Sequence, residues 1–508
     1  MKIKSAIESG ARRKLLRLYL LVMLGAAVLY VVSCAPGSLW QDSGTIQYRV
    51  WHNDIEGGMG LALAHPLFYI LAIGIKYVPL GEFAFRVNLV AAIAAAAAVA
   101  NVFLLVRLWV GKNLPGFVAA VTFALSHTFW RHASIAETYT LYIAIFTAEL
   151  IMLLLYAQSR RVGYLYWLGL LNGLAVANHM LGSIPLACYA VFFIVLLVSK
   201  EIGFKHLIII VGLWIVGALP YEYLIVKNMI QSGDVAGTVV SALFGDSWQE
   251  AVLNTSMSMR IVKENIMWIA LNFATPNILL LFFGLGSLYK AGPRRSFSNI
   301  IIAVLVLFFV FAFRYTIVDR YAFFIPFYCV VSILIGVGVC VVIEKKPKTL
   351  AMAILLLSFL PVGAYVFAPQ MAKVVGINSG RERMIPYRDD LSFFLRPWKT
   401  GYHGADRFAR EALDIVEDRA VIYSDGTTVY PLLYAQEVKG MRRDVSIVSA
   451  HGSVDNLKDY DEDVIDELAK QRPIYVVTAK QGYCPVFLLD RFDFEQIGVL
   501  YKAVKKGF

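Results

Sequence analysis

The feature that most constrains this chain is a series of long apolar runs, which recur from Leu15 to about Ala368. Of the 508 residues, 59% are hydrophobic and only 16% are charged, which is more apolar than a soluble core requires. Each run is close to the ~20 residues that a helix needs to cross the hydrocarbon core of a bilayer. The sequence therefore predicts a mainly α-helical polytopic membrane protein. We expect about eleven spans in residues 1–368 and a soluble domain in residues 369–508.

Two segments near the N-terminus decide the orientation of the spans. The apolar stretch Leu15–Ala35 follows a basic N-terminus, but it is too long for a secretory signal and lacks a small-residue cleavage site. We interpret it as a retained first span. The segment His65–Val78 is apolar but only about three-quarters of a span in length, so we expect it to lie at the membrane interface.

The distribution of basic residues supports this arrangement. If His65–Val78 does not cross, the basic loops at Arg107–Lys112 and Arg160–Arg161 face the cytoplasm, as the positive-inside rule requires. The first loop, about residues 36–82, and the whole C-terminal domain are then extracytoplasmic. The sequence predicts a multi-pass protein of the cell (inner) membrane, with a cytoplasmic N-terminus and a periplasmic C-terminal domain.

Neither the net charge nor the cysteines indicate another class of protein. The formal net charge is +11, but the Lys and Arg residues are spread over short loops, so nucleic acid is not an expected partner. The five cysteines show no metal-ligand spacing. In the C-terminal region, apolar strands at Ala420–Ser424, Asp444–Val448 and Arg472–Thr478 alternate with helical segments such as Tyr402–Asp418 and Val429–Val438. This alternation predicts a small α/β domain.

The first outer loop concentrates ionisable residues at the membrane surface. Asp42 stands close to the end of the first span, between Trp40 and Ser43-Gly44, where a carboxylate can act as general base on an acceptor hydroxyl. Asp54 and Glu56 are alternatively suited to bind a divalent cation through their oxygens, although two acids at i,i+2 indicate a metal site only weakly. His65 either begins the interfacial helix before Pro66 or contacts substrate.

Later outer loops add cationic and polar candidates. Arg131 has the charge and the planar fork of donors that suit a lipid phosphate. Glu137 either pairs with Arg131 or contacts substrate, and some of the arginines and aromatic residues are alternatively explained as side chains that anchor helix ends at the interface. The residues predicted to bind substrate are Glu56, His65, Arg131, Glu137, Tyr139, His179, Arg314, Asp319 and Arg320.

Several short motifs occur in an order that resembles a membrane family of unknown function related to protein O-mannosyltransferases. The motifs are Asp42-Ser43-Gly44, Ala64-His65-Pro66, Phe85–Leu89, Ser126–Trp130, Ala136–Leu141, Ala177-Asn178-His179, Tyr423–Gly426, Tyr430–Tyr434 and Gly440–Val445. The resemblance implies a GT-C glycosyltransferase, a membrane enzyme that takes its sugar from a polyprenyl- or dolichyl-phosphate donor. It implies inverting transfer to a protein hydroxyl or a glycan, with the first-loop aspartate, here Asp42, as base.

The chain departs from the family pattern in the first loop. Thr45 follows Asp42-Ser43-Gly44 where family members usually have an acid, and the loop before His65 is longer and supplies Asp54 and Glu56. The sequence therefore leaves the identity of the base open between Asp42 and Asp54.

Two other classes of function remain as alternatives. A transporter or flippase of lipid-linked sugars would show internal symmetry and charges at mid-membrane depth, and Glu149 is one acid within a predicted span. A non-catalytic assembly protein would use the C-terminal domain to bind a partner. A soluble nucleotide sugar is not implied, because no glycine-rich nucleotide loop follows a strand.

Overall fold

A computed structural model describes residues 2–245, 248–291, 295–317, 319–344, 346, 348–376, 383–449 and 462–506. The first eighteen α-helices precede the C-terminal sheet and form the membrane part of the molecule. They are α1 (Lys2–Ser33), α2 (Gln41–His52), α3 (Pro66–Gly74), α4 (Phe83–Val110), α5 (Asn113–Ala124), α6 (His127–Ala133), α7 (Tyr139–Ser159), α8 (Gly163–Asn178), α9 (Ser183–Val198), α10 (Phe204–Ser232), α11 (Val235–Phe244), α12 (Gln249–Leu253), α13 (Met259–Asn272), α14 (Leu280–Ala291), α15 (Arg295–Arg314), α16 (Ile325–Val342), α17 (Lys348–Leu357) and α18 (Leu360–Val374).

Among the described residues, fewer helices are long and apolar enough to cross a membrane than the eleven that the sequence predicts. Within the described ranges, eight helices are long and apolar enough, and the count reaches nine if one bent pair is a single span. The prediction of about eleven spans is therefore not confirmed. The predicted span Leu114–Phe129 is divided between α5 and α6, and the predicted span Tyr164–Met180 contains only the 16-residue α8.

A third predicted span, Ile266–Tyr289, is broken near its middle. Helix α13 and the segment Pro276–Tyr289 meet at an angle of 107°. Pro276 begins the second segment and Thr275 caps it, its side chain accepting from the backbone N–H of Asn277. The proline ring has no N–H to continue the helical ladder, so the chain turns at this point instead of continuing through one straight helix.

Helix α3 is too short to cross the bilayer. Pro66 occupies the first turn, which tolerates its missing N–H, and the apolar helix with its 3₁₀ extension ends at Tyr77. At 1.5 Å per residue, nine residues span roughly 14 Å, about half of the ~30 Å hydrocarbon core. Ile70, Leu71 and Tyr77 are exposed on its outer side, which is the arrangement of an interfacial segment.

The remaining helices and strands lie in the C-terminal region. They are α19 (Asp390–Leu395), α20 (Gly404–Ile415), β1 (Val421–Ser424), α21 (Val429–Leu433), a π-helical turn at Tyr434–Val438, β2 (Ser446–Ser449), α22 (Glu462–Gln471), β3 (Ile474–Val476), α23 (Val486–Arg491), β4 (Phe492–Ile497) and β5 (Leu500–Lys505).

The five strands form one sheet in the order β2-β1-β3-β5-β4. Strand β1 pairs in parallel with β2 and β3, whereas β5 runs antiparallel to both β3 and β4. The predicted α/β character is thus confirmed, and the structure adds the β4–β5 hairpin. Helix α18 continues to Val374, past the predicted boundary at residue 368, and the division into two domains stays a prediction.

The C-terminal region packs directly on the first loop. Trp40, immediately before α2, is buried in the same apolar cluster as Phe408 of α20 and Tyr430 of α21. The ring centroids of Trp40 and Phe408 are 5.5 Å apart. At the other end of the loop, the Tyr434 hydroxyl accepts a hydrogen bond from the backbone N–H of Ala84 at 3.1 Å.

Glycine allows one pair of membrane helices to approach closely. Gly173 of α8 and Gly217 of α10 face each other, and a Cβ at either position would overlap a backbone carbonyl oxygen, of Trp214 or of Leu170 respectively. Small residues at such crossings let helix backbones pack tightly in lipid.

We expect Gly217→Ala to destabilise the bundle by about 1–3 kcal/mol, because the added methyl group forces α8 and α10 apart. Gly212→Ala is the matched control in the same helix, since a Cβ there meets no atom within 4 Å. The control should be neutral or slightly stabilising because alanine is the better helix former. Thermal unfolding in detergent measures both. Equal melting temperatures for the two variants would contradict this close packing.

Candidate functional site

One cavity of about 1130 Å³ collects residues from many loops of the membrane part. Its walls come from α2, the α6–α7 connection, the turn after α8, the α15–α16 connection and the segment that leads into α19. Most of the lining side chains are apolar, and the charged and histidine side chains among them come from sequence positions between 42 and 390. The predicted site residues that line it are Asp42, His65, Arg131, Glu137, Tyr139, His179 and Asp319.

Asp42 lies in the first turn of α2, where the unpaired N–H groups of a helix favour a negative charge. The backbone on its N-terminal side is constrained, since Gln41 has a φ of 52°, in the left-handed region. Gln47 ties the same helix to α4, because its Nε2 donates to Asn88 Oδ1 at 3.0 Å and its Oε1 accepts from the Leu39 N–H at 3.1 Å. The Asp42 side chain is accessible, and the space it faces is the cavity.

Arg131 of α6 is one of the cations that line the cavity. It is only 9% exposed and is surrounded by the rings of Tyr321, Phe393 and Phe394, whose centroids lie 5.5–5.8 Å from the guanidinium carbon. Its Nη1 donates to the Tyr321 hydroxyl at 2.7 Å, and its Nε has no hydrogen-bond partner. Throughout the described part of the chain, no carboxylate forms a salt bridge with Arg131. Aromatic walls hold the guanidinium in place and leave its charge available to a ligand.

Three of the carboxyl groups that line the cavity with Arg131 have a raised pKa, first of all because of burial. Burial raises the pKa of Asp42, and the nearby Arg131 charge lowers it. The pKa of Glu137 lies well above its usual range, first because of burial and then because of the Asp42 charge. Burial and the Asp42 charge also raise the pKa of Asp319, to about 7. Asp319 is therefore partly protonated near neutral pH.

His65 and His179 form a pair of neutral rings beside these acids. Their ring centroids are 4.7 Å apart. Nδ1 of His65 donates to the Asn178 carbonyl at 2.9 Å, while Nδ1 of His179 accepts from the Leu181 N–H at 3.1 Å. Burial lowers the pKa of His65 to about 4 and that of His179 well below 6.5. The bonds at Nδ1 leave Nε2 of His65 as an acceptor and Nε2 of His179 as a donor.

Asp54 and Glu56 do not line the cavity. Asp54 pairs with Arg49, with Oδ2 3.2 Å from Nε, and its Oδ1 accepts from the N–H groups of Glu56 and Gly57 at 2.9 Å each. Glu56 forms a salt bridge with Lys227. Both acids are thus already paired, and the described residues contain no group of three or more His, Cys, Asp or Glu side chains that could hold a metal ion.

Arg314 and Arg320, predicted to contact the donor phosphate, are also directed elsewhere. Nη1 of Arg314 donates to the carbonyl oxygens of Val252 and Asn254, at 2.5 and 2.7 Å. Arg320 is buried against Glu264, with which it forms a salt bridge, and its guanidinium lies 4.5 Å from the centroid of the Trp268 ring. Neither arginine lines the cavity, because α12 and α13 supply partners that the sequence analysis did not assign.

Three further charged residues line the cavity that the sequence analysis did not single out. Arg49 lies seven residues after Asp42 on the same face of α2, so helical spacing was a usable signal. Arg388 and Asp390 form a salt bridge with Nε 2.8 Å from Oδ1. They come from the segment after α18, and no local pattern indicates that this segment returns to the membrane part.

Glu149, the acid within a predicted span, belongs to a buried hydrogen-bond network and not to a transport pathway. It accepts hydrogen bonds from the Tyr189 hydroxyl at 3.0 Å and from Asn172 Nδ2 at 3.3 Å. Asn172 also accepts from Trp214 Nε1 at 3.0 Å. The network therefore joins α7, α8, α9 and α10. A structural role in holding these helices together explains the presence of the Glu149 carboxyl group.

The raised pKa of Asp319 predicts a stability change with a defined sign. The folded protein holds the Asp319 proton up to about pH 7, whereas the unfolded chain loses it near pH 4. Stability from this group is therefore present at low pH and is lost as pH rises through about 7. We expect Asp319→Asn, which mimics the neutral form, to raise the melting temperature at pH 8, a gain on the order of 2 kcal/mol that shrinks toward pH 5.

Asp54→Asn provides the control for that measurement. Asp54 is paired with Arg49 in the folded protein, so its loss should lower the melting temperature at pH 8, the opposite sign. Melting curves at pH 5 and pH 8 compare the three proteins. If the Asp319→Asn variant is no more stable than the original chain at pH 8, the raised pKa of Asp319 is contradicted.

Comparison with known proteins identifies the fold. Residues 60–202 match the family model described as the protein O-mannosyl-transferase TMEM260 N-terminal domain. The search of curated protein sequences found no relative. Among solved structures, the chain is similar to ArnT from Cupriavidus metallidurans bound to undecaprenyl phosphate, with a TM-score of 0.65 and 14% identity over 96% of this chain and 97% of that one.

Two further solved structures are also similar to this chain. The apo state of ArnT from the same organism gives a TM-score of 0.65 and 14% identity over 97% of this chain and 98% of that one. The oligosaccharyltransferase AglB from Archaeoglobus fulgidus, in complex with an inhibitory peptide and a dolichol-phosphate, gives a TM-score of 0.48 and 13% identity over 90% and 69%. From its similarity to ArnT, the chain has the same overall fold as that protein. The resemblance to the membrane family related to protein O-mannosyltransferases is confirmed for residues 60–202, which the family model matches.

Proposed function

We propose that this protein is a membrane-embedded inverting glycosyltransferase that moves a sugar from a polyprenyl-phosphate donor to a hydroxyl group of a protein or glycan. The observation that carries the proposal is that Asp42 and Arg131, neither of them in a salt bridge within the described residues, line one large and mostly apolar cavity. A base and a phosphate-binding cation beside apolar walls suit a lipid-linked sugar. The similar ArnT structure contains undecaprenyl phosphate, a carrier of this class.

Asp42 and Arg131 act on the two sides of the sugar in this mechanism. The Asp42 carboxylate accepts the proton of the acceptor hydroxyl while the hydroxyl oxygen forms a bond to the anomeric carbon. The bond from that carbon to the donor phosphate oxygen breaks, and polyprenyl phosphate leaves with the bonding electrons. Arg131 stabilises the charge that develops on the phosphate. A single displacement of this kind inverts the anomeric carbon and requires no covalent intermediate.

Asp42 is a stronger candidate for the base than Asp54. Asp54 is held by Arg49 and by two backbone N–H groups and does not line the cavity. The Asp42 carboxylate is exposed to the cavity, and the protein that surrounds the cavity limits its hydration and raises its pKa. Arg131 and the helix N-terminus favour its ionised form.

The other polar residues of the cavity orient the two substrates. Nε2 of His65 and Nε2 of His179 offer one acceptor and one donor for sugar hydroxyl groups, and both rings stay neutral at physiological pH. Glu137 and Asp319 add carboxyl groups whose raised pKa values allow them to donate as well as accept. Tyr139 packs against His179, with ring centroids 4.9 Å apart.

The positive-inside distribution supports an orientation for this reaction. With the basic loops in the cytoplasm, the cavity and the C-terminal domain face the outer side of the inner membrane, and the N-terminus is cytoplasmic. The donor head group and the acceptor would then meet in the periplasm.

We expect Asp42→Asn to lower kcat about 10²- to 10⁴-fold while donor binding is retained, because the amide keeps the shape of the side chain and cannot accept the proton. The measurement is transfer of radiolabelled sugar from defined polyprenyl-phosphate donors to candidate protein and glycan acceptors, with and without chelator. Asp54→Asn is the comparison. If Asp54→Asn abolishes turnover in a folded protein and Asp42→Asn does not, the base is wrongly assigned.

Arg131→Gln should weaken donor binding about 10- to 100-fold, the effect of losing a hydrogen bond to a charged group. Arg314→Gln is the matched control, because the Arg314 guanidinium donates to backbone carbonyls outside the cavity. Binding of a fluorescent polyprenyl-phosphate analogue to the purified variants measures both. Equal losses of affinity in the two variants would refute the assignment of the phosphate site to Arg131.

A further inference from the structure

The C-terminal domain contacts the residues immediately before Asp42. Trp40 Nε1 donates a hydrogen bond to the Tyr402 hydroxyl at 2.6 Å, and the Trp40 ring packs against Phe408. The N–H of Gln41 donates to the Thr427 carbonyl at 3.4 Å. The two residues that precede the proposed base are therefore held by α20, the segment before it, and the loop after β1.

The same domain also contacts α2 just beyond Asp42. A Cβ at Gly44 would lie 2.9 Å from Cβ of Tyr430 and would overlap the Leu39 carbonyl oxygen. One turn later, the Tyr48 ring lies 5.8 Å from the Tyr430 ring. Helix α21 thus approaches α2 too closely for a side chain at position 44, which explains why a glycine follows Asp42-Ser43.

Polar contacts secure both ends of the first loop to the same domain. The Ser38 hydroxyl donates to Asp406 Oδ1 at 2.8 Å. Lys439 bridges Asp406 and Glu82, with its Nζ 2.9 Å from a carboxylate oxygen of each. Ser38 is four residues before Asp42 and Glu82 is at the start of α4, so the domain fixes the loop as a whole.

The backbone next to Asp42 requires such support. Gln41, which directly precedes Asp42, is in the left-handed region with a φ of 52°. A residue with a side chain is strained there and keeps this conformation only where its surroundings enforce it. In this protein, the contacts of Trp40 and Gln41 with the C-terminal domain hold Gln41 in the left-handed conformation.

We propose that the C-terminal domain is a positioning element for Asp42, and that Tyr402 is its principal positioning residue. Tyr402 does not line the cavity and acts through Trp40, which does. The inference rests on the proposed function and deepens it, since it assigns to this domain a part in the transfer step. A displacement of about 1 Å of a reacting group can cost on the order of 10²-fold in rate.

Tyr402→Phe tests the proposal because it removes only the hydroxyl that Trp40 contacts. Tyr475→Phe is the matched control, since it removes a tyrosine hydroxyl that donates to Glu417 Oε1 at 3.3 Å within the same domain. Hydrogen–deuterium exchange of the backbone amides of α2 is measured for both, together with kcat and the donor KM. We expect faster exchange in α2 and a kcat reduced about 10- to 100-fold at unchanged donor KM for Tyr402→Phe only.

Ser38→Ala extends the test from the side of the loop, since Ser38 is buried outside the cavity and its hydroxyl binds Asp406. This variant should show the same faster hydrogen–deuterium exchange in α2 and the same lower kcat at unchanged donor KM. The proposal is overturned if Tyr402→Phe and Ser38→Ala leave the exchange of α2 and kcat unchanged, or if they only lower the melting temperature as Tyr475→Phe does. If the original chain transfers no sugar while the exchange of α2 still responds to Tyr402→Phe, the proposed function fails and the positioning contact stands.

Discussion

The hydrocarbon core of the bilayer is the constraint on which the rest of this structure depends. It admits helices whose backbone groups are internally paired, and it tolerates irregular backbone only where protein or water satisfies the exposed groups. The connections between the long helices of this chain therefore gather around one cavity, where the turn after α8, the α6–α7 connection and the α15–α16 connection meet. Ionisable residues lie in these connections, since a charge that faces lipid is energetically costly. Asp42, Arg131 and Asp319 are distant in sequence and are brought together in this way.

Because ionisable residues lie in the connections between membrane helices, a large part of the candidate site is predictable from sequence. Charge in short loops indicates which connections share one side of the membrane, and the candidates Asp42, Glu137, His179 and Asp319 all lie in connections on the predicted outer side. The structure places each of them at the cavity. The length of the apolar segment His65–Val78, together with the distribution of basic loops, also predicts that α3 lies at the membrane interface. Alternation of short apolar strands with helices likewise predicts β1, β2 and β3.

The parts that the sequence did not reveal depend on contacts between distant segments. Asp54 and Arg320 have the same chemistry as the cavity residues, and they are distinguished only by partners, Arg49 and Glu264, that the fold supplies. Arg388 reaches the cavity because the C-terminal domain packs back on the first loop, which no local pattern encodes. The predicted span count is not confirmed for a related reason. Length and hydropathy do not register the 107° bend after α13 or the division of one apolar run between α5 and α6.

The contrast between paired and unpaired acids within one molecule is the strongest argument that the cavity is a functional site. Where this chain uses a carboxyl group for structure, it supplies partners: Arg49 for Asp54, Lys227 for Glu56, and Tyr189 with Asn172 for Glu149. Asp42, Glu137 and Asp319 have no such ion pair within the described residues. Burial raises the pKa of all three, and the Asp42 charge further raises the pKa of Glu137 and of Asp319. A protein selected for stability alone would pair or replace them. Their presence in one cavity with Arg131, which also has no ion pair among the described residues, is explained if a substrate completes the arrangement.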